Sequence, residues 1–243
     1  MYKRVVLVLC CWLAAGCCAL SAAVSPEETQ KQNDFKKAYA AADKNDRKNA
    51  LQLLNGLTDP STLALLTSAC NNDSDKDVRL EAFRVLSLVP ARDTSVAQAL
   101  VGIFQRIGDF DQKLEYATHL TNSKFKAAAT AAVADWGSRL RYPDLIKPPA
   151  PPKNPPKSNA ANKNQPPDPN VRINKEREQF TRAFGIFNTL TQANLAGPDK
   201  DSPAAIRKWW DANSAKVTAA DNDVLAKCKA EDQAKQAAQP DQK

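Results

Sequence analysis

Residues 73–105 read DSDKDVRLEAFRVLSLVPARDTSVAQALVGIFQ, and the spacing of apolar residues within this stretch decides the fold. Val78, Ala82, Val85, Leu86 and Val89 recur at three- and four-residue intervals, marking one buried stripe along a helix with Arg79, Glu81 and Arg84 at its margins. Aspartates 75 and 77 place capping carboxylates ahead of that run. Pro90 interrupts the chain, and Asp93 or Thr94 precedes a second run in which Val96, Leu100 and Phe104 form another stripe. The stretch therefore predicts two amphipathic helices joined by a proline-containing turn.

The same punctuation extends outward in both directions. Ser25-Pro26-Glu27-Glu28 combines a capping hydroxyl, a first-turn proline and a capping-box carboxylate, which predicts a helix over 26–42. Asp59-Pro60 precedes LALLTSAC, and Ser123 precedes FKAAATAAVADW. Ala50 and Leu54 match Ala82 and Leu86 at an offset of 32, and Ala82 matches Ala117 at an offset of 35, so the repeat unit is one helix pair. Asp77-Val78-Arg79, Ala82, Leu86, the turn at Pro90 and the second helix from Asp93 together resemble a HEAT repeat, with degenerate copies at 45–72 and 109–137. That resemblance implies an all-α chain with a short HEAT-like α-solenoid over 24–142 and helix 26–42 as its cap. It also implies that Arg79 pairs with a carboxylate or carbonyl of a neighbouring repeat.

Ten of the 16 prolines fall between Tyr142 and Asn170. Proline removes backbone donors and the intervening Asn, Lys and Ser offer little apolar surface, so 143–170 reads as an extended linker. Beyond it, Phe180, Phe184, Phe187 and Leu190 share one helical face, with a stop near Gly197-Pro198. Ser202-Pro203 starts a helix carrying Trp209-Trp210, and Thr218 to Asp221 caps a third, more polar helix. Leu190, Thr191, Trp209 and Trp210 are similar to the segment that closes HEAT arrays in exported bacterial proteins. Residues 171–230 are thus expected to form a separate helical module, followed by a disordered tail over 231–243.

At the N-terminus, Lys3 and Arg4 precede the apolar run VVLVLCCWLAA over 5–15 and then small residues, the pattern of an export signal over 1–23. Two cleavage routes compete: after Ala23, or before Cys17, where Ala-Ala-Gly-Cys resembles a lipoprotein lipobox with Ala14 in place of the usual branched aliphatic. Four of six cysteines lie inside this segment, leaving Cys70 in a helix and Cys228 in a polar tail, each expected to be unpaired. The expected location is the periplasm or the exterior, with membrane contact only through a lipidated Cys17. Of the formal charge of +7 over 243 residues, much sits in 143–175, where six basic residues face two acidic ones. No Lys/Arg run interleaved with aromatics appears, so no nucleic-acid partner is expected.

Seven glycines and one histidine leave few routes to catalysis. Asp73, Asp75 and Asp77 have calcium-loop spacing, but Val78 stands where the loop needs glycine and Arg84 where it needs a bidentate glutamate, so they read as helix caps. His119 lacks a nearby cysteine or second histidine. Trp209-Trp210 reads mainly as packing, one indole on the Phe180/Phe184/Phe187 face and the other at its edge. The expectation is a non-enzymatic scaffold with no cofactor and no metal, whose protein partner contacts Gln98 and Gln105 beside the Val96/Leu100/Phe104 stripe. The alternative is an envelope hydrolase or carbohydrate-binding component using Trp210 and His119.

Overall fold

In a computed structural model the described residues are 25–90, 94–142, 170–192 and 202–237, apart from the side chains of 235 and 236. Among them lie nine α-helices, one 3-10 turn and no strand. They are α1 (Pro26–Tyr39), α2 (Lys44–Leu51, followed by the 3-10 turn Gln52–Leu54), α3 (Pro60–Asn72), α4 (Lys76–Leu88) and α5 (Ser95–Arg106). After these come α6 (Phe110–Leu120), α7 (Lys126–Ser138), α8 (Asn170–Thr191) and α9 (Pro203–Ala237). The signal segment with Cys17, the residues 91–93 that include Asp93, the linker over 143–169, Gly197-Pro198 and the tail from 238 fall outside the described residues.

The helices sort into two layers. From α2 onward each even-numbered helix touches the next even one, each odd-numbered helix from α3 touches the next odd one, and cross-layer contacts close the stack. The repeat positions read from the sequence are buried: Ala50 in α2 and Leu54 in the turn after it, Ala82 and Leu86 in α4, and Ala117 in α6. All five positions of the α4 stripe are buried, and Phe83 joins them against Tyr116 with ring centroids 4.6 Å apart. Each such Leu or Phe contributes about 1.5–3 kcal/mol by leaving water.

A second regularity governs the junctions. Asp43, Asp75 and Asp109 each cap the helix that follows by accepting backbone N–H groups of its first turn. Four residues after each aspartate stands a cation that donates backwards to the end of the preceding helix. Arg47 reaches the carbonyls of Ala41 (3.3 Å) and Ala42 (2.7 Å), Arg79 those of Asp73 (2.7 Å) and Ser74 (3.3 Å), and Lys113 that of Ile107 (3.0 Å). One Asp-x-x-x-Arg/Lys device thus satisfies orphan donors at one helix start and carbonyls at or just beyond the C-cap of the previous helix.

Two buried polar knots hold the N-terminal helices. The Gln32 amide donates to Asp59 (2.8 Å) and to the Thr62 hydroxyl (3.1 Å), tying α1 to the start of α3. Burial alone would raise the Asp59 carboxyl, but bonds from Ser61, Thr62 and Gln32 outweigh it and hold the group at about 2. Asp73 accepts Nε–H and Nη2–H of Arg47, at 2.9 and 3.1 Å, and the Tyr39 hydroxyl at 2.5 Å. This ion pair is nearly dry, with side chains 13% and 3% exposed.

Several expectations are corrected here. Helices α8 and α9 do not form a separate module: Phe180, Phe184, Phe187, Leu190 and Ile206 belong to the same core as the preceding helices. Ile206 lies so close to Gly137 that a Cβ there would meet its terminal methyl at 2.8 Å, so a larger residue at 137 would push that methyl aside. Thr218 to Asp221 starts no helix, because α9 runs unbroken for 35 residues, and 231–237 is helical rather than a disordered tail. Cys228 is buried, not part of a polar tail, and neither it nor Cys70 is bonded to another cysteine. Thr94 makes no side-chain cap, and Ser123 bonds the Phe125 carbonyl instead of capping α7.

Arg47→Ala is expected to destabilise the protein clearly more than exposed Lys44→Ala, because it leaves the enclosed Asp73 carboxylate without its ion-pair partner. The Asp73 carboxyl lies below its ordinary range: burial would raise it, but bonds from Arg47 and Tyr39 prevail. A depressed carboxyl stabilises the fold above its unfolded pKa, near 3.9, and that contribution fades as acid protonates it. Urea denaturation at stepped pH should therefore show the wild-type and Arg47→Ala curves converging below about pH 4. Separately, cleavage at a protease site inserted between Pro152 and Asn164 should leave two fragments that co-elute on gel filtration and part only in denaturant.

Candidate functional site

The two layers differ in chemistry. Helices α2, α4 and α6 carry charged side chains through their length, whereas α3 (PSTLALLTSACNN) has none and α5 (SVAQALVGIFQR) ends on its single charge, Arg106. Helices α3 and α5 touch each other. Their exposed stripes are Ser61, Ala64, Ser68 and Asn71 on α3, and Thr94, Gln98 and Gln105 on α5. Gln98 and Gln105 are seven residues apart, about two turns, and so project from one face. In a chain that is 25% charged this is an uncharged, hydroxyl- and amide-rich surface over a helix pair. Charge depletion is the compositional mark of an interface centre.

The other candidate residues disperse. Asp75 caps α4, Asp73 is held by Arg47 and Tyr39, and Asp77 pairs with Lys44 at 3.0 Å, which keeps its carboxyl below the usual range. Among the described residues no group of three His, Cys, Asp or Glu side chains is placed to hold a metal. His119 sits half-buried in the last turn of α6. Burial, and then the nearby Arg84 guanidinium, pushes its imidazole below the ordinary value despite Glu81 and Glu115, which favours the neutral form at pH 7. Trp210 is half-buried on α9 against the core, and Trp209 meets Phe187 edge to face with centroids 5.4 Å apart.

A groove of about 340 Å³ opens where α7, α8 and α9 meet the turn before α7. Trp209 lines it, while Trp210 and His119 do not. Lys124, Lys126 and Lys216 stand around it, and Leu190, Val217 and Val224 add apolar wall. At one end Asp221 accepts the backbone N–H groups of Lys126 (2.8 Å) and Ala127 (2.7 Å), so α7 is capped by a carboxylate 95 residues away. Lys126 reaches back to the Thr121 carbonyl at 2.7 Å, as the cations at the earlier junctions do; burial lowers its ammonium, with Asp221 opposing. The Lys124 ammonium lies 3.1 Å from the Cys228 sulfur.

Sequence reading missed Asp221, Lys124, Lys126 and the groove. The Asp-x-x-x-Arg/Lys spacing at 43, 75 and 109 was a readable signal for the junctions, and its absence at 125 marks where an outside carboxylate is needed. Family models, curated proteins and solved structures give no match to this chain.

Asp221→Ala should cost about 1–2 kcal/mol by leaving two first-turn donors of α7 uncapped, whereas exposed Asp223→Ala should stay within about 0.5 kcal/mol. Thermal or chemical denaturation of both variants makes the comparison.

Proposed function

We propose that this protein is a non-enzymatic interaction scaffold of the bacterial cell envelope, exported by its N-terminal segment. Its helices form a short HEAT-like α-solenoid that binds a protein partner along one layer. The layered stacking with buried positions in α2, α4 and α6 supports the solenoid reading, while Arg79 donates to the Asp73 and Ser74 carbonyls in the turn just before its own helix instead of to a neighbouring repeat. Lys3, Arg4 and the apolar run after them support export, to the periplasm or beyond, with Cys17 as the residue that lipidation would use.

The observation that carries the binding reading is the charge-poor surface of α3 and α5 around Gln98 and Gln105, whose single charge is Arg106 at the end of α5. Groups that catalysis would recruit are already engaged elsewhere: Asp73 by Arg47, Asp77 by Lys44 and Asp221 by the start of α7. The partner surface therefore recognises by shape and neutral hydrogen bonding, and a charge introduced there would be desolvated on binding.

The test begins with capture of a partner from envelope extract and its identification, followed by affinity measurements with purified components. Gln98→Glu with Gln105→Glu should weaken binding by about tenfold or more, while Lys76→Ala on the charged layer should leave it unchanged. Unaltered affinity in the double variant would move the interface off α5. Reproducible hydrolase turnover abolished by His119→Ala would replace the scaffold reading with the enzyme reading.

A further inference from the structure

The groove between α7, α8 and α9 has a feature that packing leaves unexplained. Thr130, on its wall, is fully buried, and its hydroxyl has no hydrogen-bond partner among the described residues. Four other helical threonines, Thr118, Thr181, Thr189 and Thr191, each donate to the carbonyl four residues back, at 2.8–3.0 Å. Two threonines line the groove; Thr191 makes the usual local bond, whereas Thr130 leaves it unmade, although an unsatisfied buried hydroxyl costs about 1–3 kcal/mol.

The charge around it is unbalanced. Lys124, Lys126 and Lys216 face the groove against one carboxylate, Asp221, whose two oxygens are already committed to the first turn of α7. Lys124 and Lys126 each use one of three ammonium donors internally, on the Cys228 sulfur and the Thr121 carbonyl, which leaves donors free to turn toward an anion. Trp209, Leu190, Val217 and Val224 also line the groove. The volume of about 340 Å³ falls within the range of small-molecule sites.

We propose that this groove binds a small carboxylate with an apolar body. The carboxylate lies among Lys124, Lys126 and Lys216 and accepts the Thr130 hydroxyl, and the apolar part rests on Trp209 and the valine wall. A carboxylate fits better than a cation, which three ammonium groups repel, and better than a neutral polar molecule, which cannot use them. The site is independent of the α3/α5 surface, so either can fail without the other.

Calorimetric titration of the purified protein with phenylpropionate and with octanoate tests it, using the corresponding amides as uncharged controls. Saturable one-site binding of the acids is expected, with the amides weaker by about tenfold or more. Lys124→Ala with Lys216→Ala should weaken acid binding to a similar degree. Thr130→Val, which keeps the side-chain shape, should also lower acid affinity while leaving the melting temperature equal or higher, an effect a merely structural threonine would not give. Absence of saturable acid binding, equal affinity for acids and amides, or a Thr130→Val variant that binds the acids as wild type does would each overturn the proposal.

Discussion

A carboxylate at the start of one helix and a cation four residues later, reaching back to the end of the helix before, set the geometry of this molecule. Helix ends carry backbone groups with no intrahelical partner, and short connections leave little room for water to satisfy them. At the junctions entering α2, α4 and α6 the aspartate takes the donors and the arginine or lysine takes the acceptors. Because the cation grows from the new helix and grips the old one, the device also fixes the angle between them. Repetition at nearly equal spacing then gives successive helix pairs the same offset, so that Ala50, Ala82 and Ala117, matched in the sequence, are all buried.

The junction entering α7 shows what happens when half of the device is missing. Phe125 stands at the cap position, where earlier junctions have aspartate, and Lys126 alone makes the backward bond. The vacant capping role is filled by Asp221 from the middle of α9, which draws the last helix across the start of α7. The same pair of helices meets again at the far end of α7, with Ile206 against Gly137. Two contacts of different chemistry therefore pin α9 at two points along α7, and the final helices complete the core instead of standing apart from it.

This explains which parts of the fold were legible in the sequence. Ser25, Asp59 and Asp75 cap their own helices, within three residues, and the α4 stripe is buried as its spacing indicates. The errors concern side chains whose partners are distant. Thr218 to Asp221 has the composition of a cap, yet the carboxylate serves another helix while its own continues; local spacing cannot tell which N–H groups an aspartate will reach. Cys228 lies among charged neighbours in sequence, but the helical face it shares with Val224 is turned to the core. Gln98 and Gln105 were readable as exposed positions of α5, whereas the groove was not, because its walls come from three helices and a turn.

The partition of charge between layers ties stability to recognition. The junction device concentrates Asp, Arg and Lys on α2, α4 and α6, where they are consumed by caps and backward bonds. The odd-numbered helices α3 and α5 enter those junctions only at their C-terminal ends: α3 is opened by the buried Asp59 knot, and α5 by a threonine that caps nothing. Apart from Arg106 at the end of α5, their exposed positions are small or neutral, among them Ser61, Ala64, Ser68 and Asn71 on α3, and Gln98 and Gln105 on α5. Such a face loses little hydration energy when covered, since no full charge must be stripped of water. The arrangement that locks one layer together thus leaves the other layer free to be covered by a partner.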